Sequence, residues 1–149
     1  IRSATVFGYS PRQRLDVVVN ILTNLAYHKR EITVFGGEQL RPNIHIDDVA
    51  CLYSMLLKAP KEKIGGEIFN ICKENHAVKE LAKIVTTIIG DDVKMVTSPT
   101  DDIRSYHLSA RKIETVKSAV LFVTTSGVLY TEIPLVSAKF LSMLSIPAP

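Results

Sequence analysis

The sequence predicts an α/β fold built around a parallel sheet. Short strand-like segments alternate with amphipathic helical segments over most of the 149 residues, which is typical of successive βα units. The segment EIFNIC, residues 67–72, carries apolar residues on both faces, as expected for a parallel strand that is covered on both sides. The length is sufficient for one hydrophobic core.

The first strand is predicted over residues 1–8, IRSATVFG, and ends at its glycine. A loop containing Pro11 follows, and a helix is predicted from Leu15 onward because apolar residues then recur at helical spacing. Its buried stripe is predicted to comprise Leu15, Val18, Val19, Leu22, Leu25 and Ala26. A strand at residue 1 lacks the loose residues that usually precede one, so we expect a truncated part of a longer protein.

Two further strands are predicted at residues 31–35, EITVF, and residues 43–46, NIHI, with a turn at Gly36–Gly37 between them. Asp47 is in position to cap the helix that follows. The apolar stripe of that helix is predicted to comprise Val49, Leu52, Tyr53, Leu56 and Leu57. The segment PKEKIGG, residues 60–66, is interpreted as a loop before the buried strand.

The segment KENH, residues 73–76, is interpreted as a turn. A helix is predicted over residues 78–89, where apolar residues recur at helical spacing up to a glycine. Residues 92–96, DVKMV, predict one more short strand. Ser109 is then placed to cap a short basic helix.

The composition changes near the C-terminus, where residues 119–149 contain only two charged side chains. A membrane-spanning helix needs about 20 uninterrupted apolar residues. Ser126–Gly127, Glu132 and Pro134 interrupt this run, so we predict no membrane span. Residues 117–149 are interpreted as a divergent apolar tail, and buried strands are one option for it.

The overall composition argues against several classes of protein. A hydrophobic fraction of 46% and a charged fraction of 22% are typical of a globular chain and not of a disordered one. The net charge of +3 is small compared with the dense basic face that nucleic-acid binding needs. Cys51 and Cys72 lack metal-ligand spacing and lie in apolar runs, which indicates buried free thiols and a reducing cytoplasm. Residues 1–7 lack the apolar core of a secretory signal.

The titratable residues form no recognisable catalytic triad. His28 ends a helix, His76 lies in the predicted turn, and His45 alternates with isoleucines as a packed strand residue. His107 alone has a polar neighbourhood. The two adjacent aspartates at the start of the second helix point in different directions, which suits helix capping and not a paired acid and base.

Arginines at loops and element boundaries are the candidates for phosphate contacts, because a guanidinium offers a planar fork of donors matched to phosphate oxygens. These arginines are Arg12, Arg14, Arg41 and Arg104. Taken singly, each is also explained as a solvated surface charge. The nucleotide-binding patterns GxGxxG and GxxxxGK[ST] are absent from the sequence.

Six segments occur in a specific order: RSATVFG, SPRQRLDVVVN, LRPNIHIDDVA, GEIFNI, VKELAKIV and DDIRSYHLSARKI. Together they resemble the second half of an extended short-chain dehydrogenase/reductase, in particular of the NAD-dependent sugar-nucleotide epimerase/dehydratase family. The resemblance covers residue 1 to about residue 114, so residues 1–116 are assigned to the C-terminal portion of that family's domain. It implies the C-terminal part of a Rossmann-like fold, including the substrate-binding region.

The resemblance also implies individual site residues. RPNIHIDDVA resembles the family stretch R-D-Y-I-H-V-x-D-x-A, whose arginine contacts the substrate diphosphate and falls on Arg41. The family's asparagine at the start of the substrate-domain helix falls on Asn20, and its later arginine near the nucleotide falls on Arg104. The strand beside the nicotinamide corresponds to the first strand here, with Thr5 in place of a substrate-contacting asparagine and Val6 beside the cofactor.

The family's glycine-rich cofactor loop and its YxxxK catalytic pair have no counterpart in this chain, since Tyr27 is followed four residues later by Glu31 and Tyr53 by Leu57. We therefore expect NAD and a nucleotide sugar to be ligands of the intact enzyme and this chain alone to be inactive. The missing N-terminal Rossmann half is the expected partner, and a homodimer is compatible with the resemblance. No catalytic or metal-binding residue is predicted within the chain.

Two alternatives stay open from the sequence. A dehydrogenase-like fold without catalysis would serve as a scaffold for a partner protein. A decayed or misframed remnant would expose an apolar sheet edge that invites aggregation. Both alternatives are suggested by the tail. After Val116 its sequence lacks the Leu-Gly-Phe turn and the amphipathic helix that the family has at this point.

Overall fold

The computed structural model describes residues 1–121, which form strands and helices in alternation. In chain order the elements are β1 (Arg2–Ser3), β2 (Thr5–Phe7), α1 (Val18–Lys29), β3 (Glu31–Phe35), β4 (Leu40–His45), α2 (Ile46–Leu56), α3 (Lys61–Ile64), β5 (Asn70–Ile71), β6 (Glu74–Ala77), α4 (Val78–Ile89), β7 (Lys94–Ser98) and α5 (Arg111–Leu121). The predicted α/β class is confirmed.

Strand pairing is mostly parallel, as predicted. β1 pairs with β5, β2 with β4, and β3 with β7, all in parallel. β6 pairs with β4 in the antiparallel sense. The interpretation of residues 73–76 as a turn was therefore wrong. Pairing with a strand that is distant in the sequence leaves no mark on the local pattern of polar residues.

The buried apolar residues form two clusters. The first packs α1 and α4 against β3 and contains Phe7, Val19, Leu22, Ala26, Ile32, Val34, Leu81, Ala82, Val85 and Val93. The second brings α2, α5 and β5 together and contains Ala4, Ile44, Leu52, Phe69, Ile71 and Ile113. Phe7 belongs to the first cluster and Val6 packs against the second, because consecutive strand residues point to opposite faces.

The first helix begins later than its apolar pattern predicts. α1 starts at Val18, so Leu15 lies outside it and is 49% exposed. The remainder of the predicted stripe packs inward, and two polar residues, Asn20 and Thr23, are buried with it. The hydroxyl of Thr23 donates to Val19 O over 2.8 Å, which satisfies it within the helix.

The second helix corrects two predictions. Its N-cap is His45, whose Nδ1 accepts the backbone N–H of Asp47 over 3.2 Å, so Asp47 supplies an amide and not a capping carboxylate. Leu52 is buried as predicted, but Tyr53 is 50% exposed, and Leu57, which follows the last residue of the helix, is 88% exposed.

Three shorter segments also differ from their predictions. The loop predicted at residues 60–66 contains α3, and the strand predicted at residues 67–72 is confined to Asn70–Ile71. The residue that immediately precedes α5 is Ala110 and not Ser109, and its carbonyl accepts the N–H groups of Ile113 and Glu114. By contrast, β3 and α4 have the predicted bounds, and β7 lies close to the predicted short strand.

Most of the predicted apolar tail, from residue 122 onward, falls outside the described residues. α5 continues across residue 116, and the domain boundary placed there stays a prediction. Within residues 1–121 no helix combines the length and the apolarity needed to cross a membrane.

Candidate functional site

The sheet of β2, β4 and β6 carries polar side chains on one face. Alternate residues of β4 share a face, so Arg41, Asn43 and His45 lie on the same side. The register of β2 and β6 with β4 places three further polar residues beside them. The polar face therefore comprises Thr5, Arg41, Asn43, His45, Glu74 and His76.

Arg41 is held in place by several contacts at the edge of the polar face. Its side chain is 16% exposed, against 82% for that of Arg104. Its Nη1 donates to Leu40 O over 3.1 Å and to Arg104 O, and its Nη2 lies 3.4 Å from Asp102 Oδ2. The guanidinium carbon lies 5.6 Å from the centre of the Tyr106 ring, within cation–π range. Arg41 is thus oriented before any ligand arrives.

Asp102 joins Arg41 to Arg104. Arg104 donates from Nε to Asp102 Oδ1 over 2.7 Å and from Nη2 to Oδ2 over 2.8 Å, which is a two-pronged ion pair. This side-chain hydrogen bonding lowers the pKa of Asp102 from 3.8 to about 2, and the backbone N–H of Arg104 adds to the effect. Asp102 is therefore charged at neutral pH. The cluster of Arg41, Asp102 and Arg104 has two positive groups and one negative group.

The irregular segment that carries Asp102 and Arg104, residues 99–110, is fixed along the sheet edge. The backbone N–H of Leu40 donates to Ser105 Oγ over 3.0 Å. The carboxamide of Asn75 donates to Leu108 O over 3.1 Å and accepts the Leu108 N–H over 2.9 Å. These bonds hold the main chain of the segment without involving the Asp102 carboxylate.

Asn20 has a structural role next to the site. It is 3% exposed, its Oδ1 accepts the backbone N–H of Gly8 over 3.2 Å, and its Nδ2 donates to Arg14 O over 2.7 Å. Arg14 itself pairs with Asp16 at 2.6 Å, and Arg12 is exposed. The structure brings Arg41 and Arg104 together, but it joins neither Arg12 nor Arg14 to them.

Thr5 and Val6 point to opposite sides of β2. Thr5 is half-buried and lies beside Asn43 on the polar face, on the strand next to the one that carries Arg41. Val6 is half-buried and packs against the second apolar cluster. The predicted substrate contact of Thr5 and the predicted cofactor contact of Val6 both stay predictions.

The histidines largely have the structural roles expected of them. His45 is 2% exposed at the end of β4, so its interpretation as a packed strand residue is confirmed. His28 lies in the last turn of α1, as predicted. His76 lies in β6, where its Nε2 is 2.8 Å from Glu74 Oε2. His107 is exposed.

The turns at Gly8 and Gly37 do not present free amides to a dinucleotide. A pyrophosphate is held by backbone amides that are free to donate. The N–H of Gly8 is bound by Asn20 Oδ1, and the N–H of Gly37 is bound by Gln39 Oε1 over 2.7 Å. Residues 1–121 also contain no group of three side chains suited to a metal ion. The amides of Gly8 and Gly37 are therefore not free to bind the pyrophosphate of NAD.

Comparison with known proteins relates the chain to enzymes of sugar nucleotides. Residues 1–72 match the model of the NAD dependent epimerase/dehydratase family. The structure of UDP-glucose 4-epimerase with UDP-glucose from Thermotoga maritima is 30% identical in sequence with a TM-score of 0.63, over 76% of this chain and 37% of that protein.

Two further solved structures share the fold. ADP-L-glycero-D-manno-heptose-6-epimerase from Helicobacter pylori is 20% identical with a TM-score of 0.69, over 96% of this chain and 42% of that protein. dTDP-glucose 4,6-dehydratase from Bacillus anthracis in complex with NAD is 17% identical with a TM-score of 0.60, over 78% of this chain and 37% of that protein. The chain spans less than half the length of each of the three structures.

The chain is therefore related to the NAD-dependent epimerases and dehydratases that act on sugar nucleotides. This family uses NAD. Its members include proteins solved with nucleotide sugars, among them a complex with UDP-glucuronic acid and NAD. The resemblance inferred from the six sequence segments is confirmed at this level.

Sequence reasoning missed two residues that shape the site. Asp102 was not singled out, although it bridges both arginines. Gln39 was also overlooked: its Oε1 binds the Gly37 amide and its Nε2 donates to Asp102 O over 3.1 Å. Gln39 thereby links the glycine turn to the segment of residues 99–110. The adjacent Asp101–Asp102 pair, followed closely by Arg104, was a local signal for the first of these.

Proposed function

We propose that this chain is the C-terminal portion of an NAD-dependent sugar-nucleotide epimerase or dehydratase, in which it holds the diphosphate of the substrate. The observation that carries the proposal is the meeting of Arg41 and Arg104 around Asp102. The two arginines lie 63 residues apart in the sequence. Both lie in segments that resemble the family, and both contact one carboxylate.

The chemistry of the cluster suits a diphosphate. Each guanidinium can donate two parallel hydrogen bonds to phosphate oxygens. Hydrogen bonds to a charged group contribute about 1.5–3 kcal/mol each when the site is shielded from water. Arg41 is largely enclosed and so satisfies that condition, whereas the exposed Arg104 contributes less. We therefore assign the larger share of the binding energy to Arg41.

The position of the cluster allows the binding energy of the diphosphate to orient the sugar of the substrate. The polar face continues from Arg41 to Thr5 on β2, the strand that the resemblance places beside the nicotinamide. A diphosphate fixed at Arg41 anchors the nucleotide end of the substrate, and the sugar then extends along this face. Binding energy from the remote nucleotide is in this way used to orient the reacting carbon.

The redox chemistry belongs to residues outside this chain. NAD accepts and returns a hydride when it is bound in enzymes of this family. The sequence contains neither the glycine-rich cofactor loop nor YxxxK, and the two glycine turns have their amides occupied. The chain contributes substrate binding and orientation, and we expect it to transfer no hydride by itself.

Calorimetric titration of the chain with UDP-glucose tests the proposal. We expect Arg41→Ala to weaken binding about tenfold or more, because it removes charge-assisted hydrogen bonds from an enclosed position. Arg14→Ala is the matched control, since Arg14 also pairs with an aspartate but lies outside the cluster. Equal affinities of the wild type and Arg41→Ala would contradict the proposal.

The same substitution in a protein that also contains the cofactor-binding half separates the two ligands. Arg41→Ala is expected to weaken binding of the nucleotide sugar and to leave NAD affinity unchanged. A parallel loss of both affinities would show that Arg41 supports the fold and not the diphosphate.

A further inference from the structure

The carboxylate of Asp102 occupies the donors that an anionic ligand would use. Its Oδ1 accepts from Arg104 Nε over 2.7 Å and from the Arg104 backbone N–H over 3.2 Å. Its Oδ2 accepts from Arg104 Nη2 over 2.8 Å and lies 3.4 Å from Arg41 Nη2. One carboxylate therefore fills the fork of Arg104 and reaches Arg41 as well.

The two arginines depend on Asp102 to different degrees. Arg41 is oriented by Leu40 O, by Arg104 O and by the ring of Tyr106, so its position does not rest on the long contact to Asp102. Arg104 is 82% exposed, and Asp102 is the acceptor for its guanidinium. Loss of the carboxylate would thus leave Arg41 in place and free the fork of Arg104.

Most of the bonds that hold the main chain around Asp102 do not use its carboxylate, and the exception is the Arg104 N–H, which donates to Oδ1. Asp102 O accepts from Gln39 Nε2 over 3.1 Å, and Leu40 N–H donates to Ser105 Oγ. Asn75 holds the segment at Leu108. These bonds do not use the carboxylate, so its rotation leaves the segment attached to the sheet edge and gives up its hydrogen bonds to the side chain and backbone N–H of Arg104.

We propose that Asp102 is a built-in competitor of the diphosphate: its carboxylate occupies Arg41 and Arg104 in the ligand-free state and must leave them when a diphosphate binds. The inference rests on the proposed function, because it assumes that the ligand uses the same two arginines. It assigns Asp102 a role in setting affinity and not in holding the ligand.

The competition also indicates which anions the site accepts. A ligand must replace the contacts of Asp102 and overcome repulsion from its displaced carboxylate, which stays nearby on a fixed main chain. A diphosphate presents two charged phosphoryl groups, one for each guanidinium. An acetate ion offers a single carboxylate, which at best reproduces what Asp102 already provides. The site therefore favours diphosphates over simple carboxylates.

Titration of the full chain with inorganic pyrophosphate tests the competition. We expect Asp102→Asn to bind pyrophosphate at least about fivefold more tightly than the wild type, because the amide has a similar shape without the competing charge. Asp102→Ala is expected to change affinity in the same direction. Circular dichroism establishes that each variant is folded before it is titrated.

Asp101→Asn is the matched control. Asp101 is exposed, lies in the same segment, and loses the same charge, so it reports the long-range electrostatic gain alone. Tighter binding by Asp102→Asn than by Asp101→Asn supports the competition. Equal affinities of these two variants, or weaker binding by Asp102→Asn than by the wild type, would overturn it.

Arg41→Ala distinguishes failure of this inference from failure of the proposed function. If Arg41→Ala loses pyrophosphate binding while Asp102→Asn gains nothing, the diphosphate site stands and the competition is refuted. If Arg41→Ala binds pyrophosphate as the wild type does, the ligand does not use this cluster, and the proposed function fails together with the inference.

Discussion

Asn20 holds Gly8 through a buried hydrogen bond, in which the backbone N–H of Gly8 donates to Asn20 Oδ1 over 3.2 Å. The same carboxamide donates to Arg14 O over 2.7 Å. The turn after β2 is thereby tied to the start of α1. Because β2 carries Thr5 on the polar face, this tie also fixes the edge of the candidate site.

Replacement of Asn20 is expected to destabilise the fold. Asn20→Ala leaves the Gly8 amide and the Arg14 carbonyl without their partner, and a buried unsatisfied group costs about 1–3 kcal/mol. Urea denaturation should show a loss of at least about 2 kcal/mol for Asn20→Ala. Asn24→Ala, a half-buried position on the same helix, is the control. Similar losses for both variants would contradict the role of Asn20.

Gly8 is expected to tolerate no side chain. Its φ is +124°, and a Cβ there would lie 2.8 Å from His45 Nε2 and 2.9 Å from Ile46 Cγ2. Gly66 also has a positive φ, +76°, but a Cβ there would meet nothing within 4 Å. Gly66→Ala should therefore cost only the backbone strain of about 1–2 kcal/mol.

Thermal and urea unfolding of both glycine variants separate backbone strain from steric overlap. We expect Gly8→Ala to lose about 2 kcal/mol more than Gly66→Ala, since the buried contact adds overpacking to the strain. Equal losses would show that the approach of Gly8 to the His45 ring has no energetic consequence.

The stability contributed by Asp102 should depend on pH. The pKa of Asp102 falls from 3.8 to about 2 on folding, chiefly through the side-chain hydrogen bond from Arg104. A carboxylate with a lowered folded-state pKa stabilises the protein above its unfolded pKa, and this contribution is lost as pH falls through the folded pKa.

We therefore expect the difference in unfolding free energy between the wild type and Asp102→Asn to shrink as pH falls from about 4 to about 2. Urea denaturation at constant ionic strength measures it, and Asp101→Asn in the same segment is the control. A difference that stays constant across this range would refute a charge-dependent contact between Asp102 and Arg104.

The stability of the protein should depend on the side chain of Ile71 in β5 and much less on that of the nearby Ile68. Ile71 is 1% exposed in the second apolar cluster, whereas Ile68 is 55% exposed. Ile71→Ala should cost about 2–5 kcal/mol through lost burial and a cavity. Ile68→Ala should change stability by about 0.5 kcal/mol or less. Equal losses of unfolding free energy for Ile71→Ala and Ile68→Ala in chemical denaturation would contradict the burial of Ile71 in the second apolar cluster.

Local patterns were sufficient for the elements whose stability is local or whose core face is regular. α4 and β3 were predicted with their bounds because apolar residues repeat at the expected spacing there. β6 was missed because its residues, Glu74–Ala77, are mostly polar and are held by pairing with β4. Leu15 was misassigned because an apolar residue just before a helix continues the helical pattern without being buried.

The residues of the candidate site also differ in whether the sequence or only the fold reveals their role. Arg41 and Arg104 were found because each lies in a family-like segment, which is a property of the sequence. The bridging role of Asp102 depends on a contact to Arg41 across 61 residues, and that contact exists only in the fold. The resemblance implies a substrate contact for Asn20, which stays a prediction, and only the fold shows its hydrogen bonds to Gly8 and Arg14.

A crystal structure of the chain with UDP-glucose tests directly whether Arg41 and Arg104 bind a substrate diphosphate. We expect diphosphate oxygens within about 3.2 Å of both guanidinium groups and the Asp102 carboxylate turned away from Arg41. A diphosphate bound elsewhere, with the contacts among Arg41, Asp102 and Arg104 intact, would contradict the proposed site.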